Sequence, residues 1–228
     1  MTKSPQISEK LTDPASLGLL HPLIYIMIDQ NLRAAVTSLW RLDQEMTSIL
    51  RNVQEPHLQM MRLVWWRDRL EALEAGEAAP AHPVLQAVAK AYGGREDMTD
   101  LHQIADIWAD FAEAPILDEA AACDFASRRG QWLFDRSANL LGAQDAKATA
   151  QSGVIWGLND VSSHVSDPLV AASLLTQSLD GARAQGRVTL PKPLAAAAKL
   201  AALRAQSGGR VRPLREQASL LRISLFGA

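Results

Sequence analysis

The chain has 228 residues, 48% of them hydrophobic, with 23 Lys/Arg against 25 Asp/Glu and a formal net charge of −2. That length can bury one sizeable core, so a single domain is the expectation. Cys123 is the one cysteine, which excludes an internal disulfide framework and suits a reducing compartment.

Residues 1–16 are polar and charged, lack the apolar run of a signal peptide, and read as a flexible leader to a helical domain over 17–228. Leu17 to Ile28 is apolar but contains His21-Pro22 and is too short to span a bilayer. A first helix is predicted from Leu17 or Pro22 to about Ile28, and a long one over 31–53 that stops at Glu55-Pro56. Within the long one, Leu32, Val36, Leu39, Met46, Leu50 and Val53 recur at spacings of about 3.5, and Asp43 falls in that seam. The next predicted helix covers 57–75. Leu63, Trp66, Leu70 and Leu73 make one apolar stripe, and Met61 and Trp65 a second beside it. So wide an arc predicts a helix held between several neighbours rather than on a surface. Arg67 and Glu71 stand at i, i+4 on the remaining face, where they can pair.

After an Ala/Pro-rich loop over 76–83, Pro83 opens a short helix that Gly93-Gly94 ends. Helices are predicted over 97–111, 118–141, 146–164 and 168–183, and Pro191, Pro193 and Gly208-Gly209 divide the rest into two more. No run alternates with a period of two over strand length, which makes the fold class all-α.

Some of these segments carry a more specific pattern. Arg62-Leu-Val-Trp-Trp-Arg-Asp-Arg-Leu70 is followed by Ala81-His-Pro-Val84. Phe125-Ala-Ser-Arg-Arg-Gly130 precedes Leu140-Leu-Gly142, and then come Gly153-Val-Ile-Trp-Gly-Leu158 and Gly186-Arg-Val-Thr-Leu-Pro191. In this order, over roughly residues 20–200, they resemble the squalene/phytoene synthase family, the head-to-head prenyl transferases. Thr189 stands where the family's Gly-Arg-x-Tyr-Leu-Pro element has tyrosine. The resemblance implies a single-domain helical bundle of the isoprenoid synthase type, shortened to about eight to ten helices.

Active members of that family use two Asp-x-x-x-Asp motifs on facing helices. Carboxylates at i, i+4 share one helix face and can hold Mg²⁺ with a diphosphate, promoting its departure. Here the first position offers Asp43 and Glu45, whose neighbours four away are Leu39, Thr47, Arg41 and Ile49. The second offers Asp160 and Asp167, with Trp156, His164, Ser163 and Ala171 four away. Neither segment contains a carboxylate pair. Glu96/Asp100 and Asp106/Asp110 do have the spacing but lie outside the family's places; they read as a helix first turn and a solvated face. Asp160-x-x-x-His164 offers only two metal ligands and reads better as a capping or surface pair. What the resemblance leaves as remnants of a cavity lining is Asp43, Glu45, Arg128, Arg129, Asp160 and His164. No residue is assigned as catalytic and no metal is expected, with Mg²⁺ required only if transferase activity survives. A carboxylate at Asp43 that faces the bundle needs a partner. Arg128 or Arg129 is the candidate, because the family places basic residues near the diphosphate; the alternative is a wet Asp43 at the seam's edge.

Charge is unevenly placed. From residue 183 to 228 there are nine Lys/Arg and one acid, Glu216, a net of +8 that leaves −10 for residues 1–182. Leu214, Ala218, Leu221 and Leu225 form an apolar stripe flanked by Arg215 and Arg222. A basic amphipathic helix of this kind suits an anionic membrane surface, and Arg210, Arg212, Arg215 and Arg222 are the residues placed to meet it. The alternative is a last helix docked on the bundle with a solvated basic face. Nucleic acid is not expected, because no aromatic beyond Phe226 is interleaved with these charges.

The short Trp-Trp-Arg-Asp form with Ala-His-Pro is most similar to the branch of the family that has lost the aspartates. That branch includes a mitochondrial assembly factor for respiratory complex I and short bacterial relatives. The expectation is a non-catalytic assembly or binding protein, cytoplasmic and peripheral to the inner membrane, with a membrane-protein complex as an alternative partner. A prenyl diphosphate transferase with a divergent site and a carrier of prenyl lipid in an open central cavity are the alternatives.

Overall fold

The computed structural model describes residues 18–92, 99–114, 118–186 and 188–226. Among them are ten helices and no strand: α1 (Pro22–Tyr25), α2 (Arg33–Asn52), α3 (Pro56–Glu74), α4 (Pro83–Tyr92), α5 (Gln103–Glu113), α6 (Glu119–Leu141), α7 (Ala146–Ser162), α8 (Pro168–Gln185), α9 (Lys192–Gln206) and α10 (Pro213–Phe226). The all-α expectation therefore holds. The proposed leader and Gly93-Gly94 lie outside the described residues.

Local chemistry sets most helix ends. Asp118, Asp145 and Asp167 accept from the backbone N–H groups of Ala121, Ala148 and Leu169 at 2.8, 2.9 and 2.8 Å, capping α6, α7 and α8. Pro stands in the first turn of α1, α3, α8 and α9, where its missing N–H costs nothing. Gly142 closes α6 at φ 70°, a left-handed conformation that glycine adopts without a Cβ penalty.

Two elements differ from the sequence reading, the first in where it ends and the second in where it starts. The first helix is only one turn, beginning at Pro22 with the His21 ring accepting from the Leu23 N–H at 3.2 Å. The helix expected from residue 97 begins at Gln103. Asp100 sits at φ 55°, off the helical region, and the His102 N–H is taken by Glu74 of α3 at 2.9 Å. A side chain from another helix thus sets where α5 starts.

One buried apolar cluster draws on all ten helices. At its centre Trp40 of α2 donates through Nε1 to Ser137 of α6 at 3.0 Å and stands edge-on to Trp156 of α7 at 4.9 Å. The α6–α7 contact is a backbone contact. A Cβ on Gly130 or on Gly153 would run into the carbonyl of the other, and one on Gly157 into the carbonyl of Ala126.

α3 differs from the expectation of burial on a wide arc. Leu63, Trp66, Leu70 and Leu73 are buried, but Met61 and Trp65 are 58% and 41% exposed. The helix packs on α5, α2 and α4 by one side only. α10 likewise docks by a face other than its Leu214/Leu221/Leu225 stripe. Leu220, Ile223 and Glu216 are buried, because Arg204 of α9 pairs with Glu216 at 3.2 Å and turns that side inward. Leu214, Leu221 and Leu225 are left 84%, 52% and 71% exposed. No helix among the described residues is long and apolar enough to cross a membrane.

Candidate functional site: a buried arginine between two carboxylates

α2 and α7 each bring one carboxylate to the middle of the bundle, and α6 places an arginine between them. Asp43 is 3% exposed. Arg129 donates to it through Nε at 2.7 Å and Nη2 at 2.6 Å, a two-pronged pairing with both carboxylate oxygens. The third nitrogen, Nη1, donates to Asp160 at 2.7 Å. Trp108 of α5 donates its indole N–H to Asp43 at 3.0 Å. The guanidinium also lies 5.0 Å from the Trp156 ring centre, 5.3 Å from that of Trp108 and 5.9 Å from that of Phe125. One arginine therefore ties α2, α6 and α7 together, with α5 closing the cluster.

Burial by itself would push the Arg129 guanidinium down. Asp43 first and Asp160 second outweigh that and hold it above the ordinary arginine value. The group is a permanent cation inside the fold. Both Asp43 oxygens and one of Asp160 accept from it, so a metal ion or a second cation would have to displace it to use them. At this level the guanidinium lies between α2 and α7 with the rings of Trp108, Phe125 and Trp156 around it.

Arg129 is the partner of Asp43, and the wet-edge alternative does not hold. Arg128 points the other way, donating to Asp110 at 2.8 Å with Asp124 at 3.5 Å, and is held above its usual value chiefly by that hydrogen bond. Successive residues on a helix are turned by about 100°, so only one of two adjacent arginines can face the core. Glu45, two residues past Asp43, is half-buried on another side of α2. His164 lies beyond the end of α7 and is exposed. Its Nδ1 is 2.8 Å from the Asp160 carbonyl, so it caps the helix rather than joining the carboxylate. Of the six lining candidates, Asp43, Arg129 and Asp160 meet, and Glu45, Arg128 and His164 stand apart.

Trp108 and Phe125 were not read as site residues. Their signal was available: an arginine in an apolar stretch needs acceptors and favours aromatic faces. Of the expected acidic pairs, Asp100 bonds Arg136 at 3.1 Å and Asp110 bonds Arg128, while Glu96 lies outside the described residues. The two halves of the Trp-Trp and Ala-His-Pro pattern do meet, with the His82 ring edge-on to Trp66 at 4.8 Å. Cys123 is half-buried and donates to Gln177 at 3.2 Å. Arg210, Arg212, Arg215 and Arg222 are all exposed. Compared with models of known families, with curated proteins and with solved structures, the chain has no match.

Proposed function

We propose that this protein is a non-catalytic relative of the squalene/phytoene synthases that works as a binding or assembly protein on an anionic membrane surface, the cytoplasmic side of an inner membrane in the first instance. The observation that carries the reading is the outer side of α10. Leu214 and Leu225 stand in solvent and Leu221 is half-exposed beside His21, Pro22 and Leu23, in a segment that also exposes Arg210, Arg212, Arg215 and Arg222. The segment's one acid, Glu216, is spent internally on Arg204, so nothing in α10 offsets those charges. Leucines can enter the headgroup boundary while the arginines meet lipid phosphates. The absence of catalysis is supported by Arg129, which occupies the carboxylates that a metal-bound diphosphate would need.

Vesicle cosedimentation tests the membrane part. At about 1 kcal/mol per basic residue near the surface, changing Arg210, Arg212, Arg215 and Arg222 to Ala should weaken binding to phosphatidylserine vesicles roughly a thousandfold. Parent binding should also fall as salt rises, since the screening length shrinks from about 10 Å at 0.1 M to about 3 Å at 1 M. If the variant sediments as the parent does, α10 is not the membrane surface. A second assay tests the chemistry. No Mg²⁺-dependent condensation of farnesyl or geranylgeranyl diphosphate is expected. Diphosphate release above a heat-killed control and abolished by EDTA would restore the transferase alternative.

A further inference from the structure

α1 and α10 lie against each other, and between them runs an open groove of about 380 Å³. His21, Pro22 and Leu23 line it from one side and Gln217 and Leu221 from the other, with no carboxylate, lysine or arginine among them. Its position on α10 follows from helix geometry, since successive residues turn by about 100°. Glu216, Leu220 and Ile223 face the bundle, Gln217 and Leu221 come next at the groove, then Leu214 and Leu225 in solvent, and Arg215 and Arg222 beyond them.

The α1 wall has the same apolar character. Ile26 keeps helical backbone at φ −69° and ψ −17°, and it follows Pro22 by four residues and Leu23 by three. That spacing sets it on the side those two residues line, and it is exposed. An apolar layer that receives Leu214 and Leu225 therefore borders the groove and meets Ile26 on its other rim. We infer that the groove takes one acyl chain of an anionic phospholipid, while Arg215 and Arg222, beyond the leucines, meet the phosphates of neighbouring lipids. The source of that chain is the membrane surface proposed above, on which this inference rests.

The size and walls of the groove select this occupant. One turn of an α-helix, about 10 Å across and about 5.4 Å tall, already fills more than its volume, so a partner helix cannot lie in it. Its walls are helices, which offer an extended peptide no strand edge to join. An unbranched hydrocarbon chain needs neither that width nor those hydrogen bonds. Charge agrees with a lipid source. Neither α1 nor α10 exposes an acidic side chain, because Glu216 is buried on Arg204, so lipid phosphates approaching α10 meet arginines without an opposing carboxylate.

The test titrates the full chain by calorimetry with single-chain phosphatidylglycerols from hexanoyl to dodecanoyl, each below its micelle concentration. Affinity should rise about two- to fourfold with each added CH2 and level off once the groove is full. Gln217→Phe, at an exposed position, puts a ring into the groove and should weaken the dodecanoyl lipid at least about tenfold with helicity unchanged. Leu221→Trp repeats that test from the next turn of α10. Affinity independent of chain length, a rise that never levels off, or a dodecanoyl affinity that both variants leave unchanged overturns the inference. If the parent still binds phosphatidylserine vesicles in that case, the membrane reading stands without the groove. A rise that levels off in a parent that does not bind vesicles keeps the groove as a chain site and removes the membrane reading instead. A dimer in sedimentation equilibrium that Gln217→Phe dissolves gives the groove to a second copy, and tighter binding of every lipid after deletion of residues 1–16 gives it to that segment; either result overturns the inference.

Discussion

Arg129→Met should destabilise the protein by about 3–5 kcal/mol, a large part of the 5–15 kcal/mol that holds a typical domain folded. The substitution leaves Asp43 buried and Asp160 half-buried with their shared counter-ion gone. The loss should be read from the urea midpoint at unchanged slope. It should also shrink as the pH is lowered from about 7 towards 5. In the variant, a buried carboxyl without a cation binds its proton more tightly folded than unfolded, so acid favours the folded state. Replacing all three groups, with Asp43→Leu and Asp160→Leu added, should recover most of that loss, because no buried charge is then left unpaired; the Trp108 N–H, which loses Asp43 as its acceptor, keeps the recovery incomplete. A loss under about 1 kcal/mol in Arg129→Met would mean that the triad is wetter than its burial states.

Gly157→Ala should also be costly, and its sign is diagnostic. In an ordinary helix interior, alanine in place of glycine stabilises by about 1 kcal/mol. Here the new methyl would meet the Ala126 carbonyl, a backbone atom that cannot rotate away. α7 must move off α6, and the expected result is a net loss of about 2–3 kcal/mol. That movement carries Asp160 away from Arg129, so the two sites should show non-additive losses in a double-mutant cycle. Gly181→Ala in α8 is the control. Its Cβ would meet only the Ile155 side chain at 3.2 Å, which can yield, so the substitution should be close to neutral. A gain in stability from Gly157→Ala would mean that the two backbones are further apart than the structure places them.

Both effects bear on what was legible in the chain itself. The helices over α2, α3 and α6 to α10 followed from local features: apolar periodicity, the Asp caps at 118, 145 and 167, prolines in first turns, and glycines past the ends. Those interactions close within a few residues, so the sequence alone determines them. It also marked Asp43 as a carboxylate in an apolar seam and Gly130 and Gly153 as part of a pattern. Only the tertiary structure decided what met them. Arg129 rather than Arg128 faces Asp43 because α6 crosses α7 at a rotation set by Gly130, Gly153 and Gly157. α5 starts at Gln103 because Glu74, 28 positions before His102, takes the backbone N–H that a longer helix would have used. Periodicity reports which residues share a helix face but not which face a neighbour will cover. Met61 and Trp65 on α3, and Leu214, Leu221 and Leu225 on α10, belong to apolar arcs wider than one contact can bury. Long-range partners on the other side chose which part of each arc was covered: the bundle's grip on Leu63 and Leu70, and the Arg204–Glu216 pair.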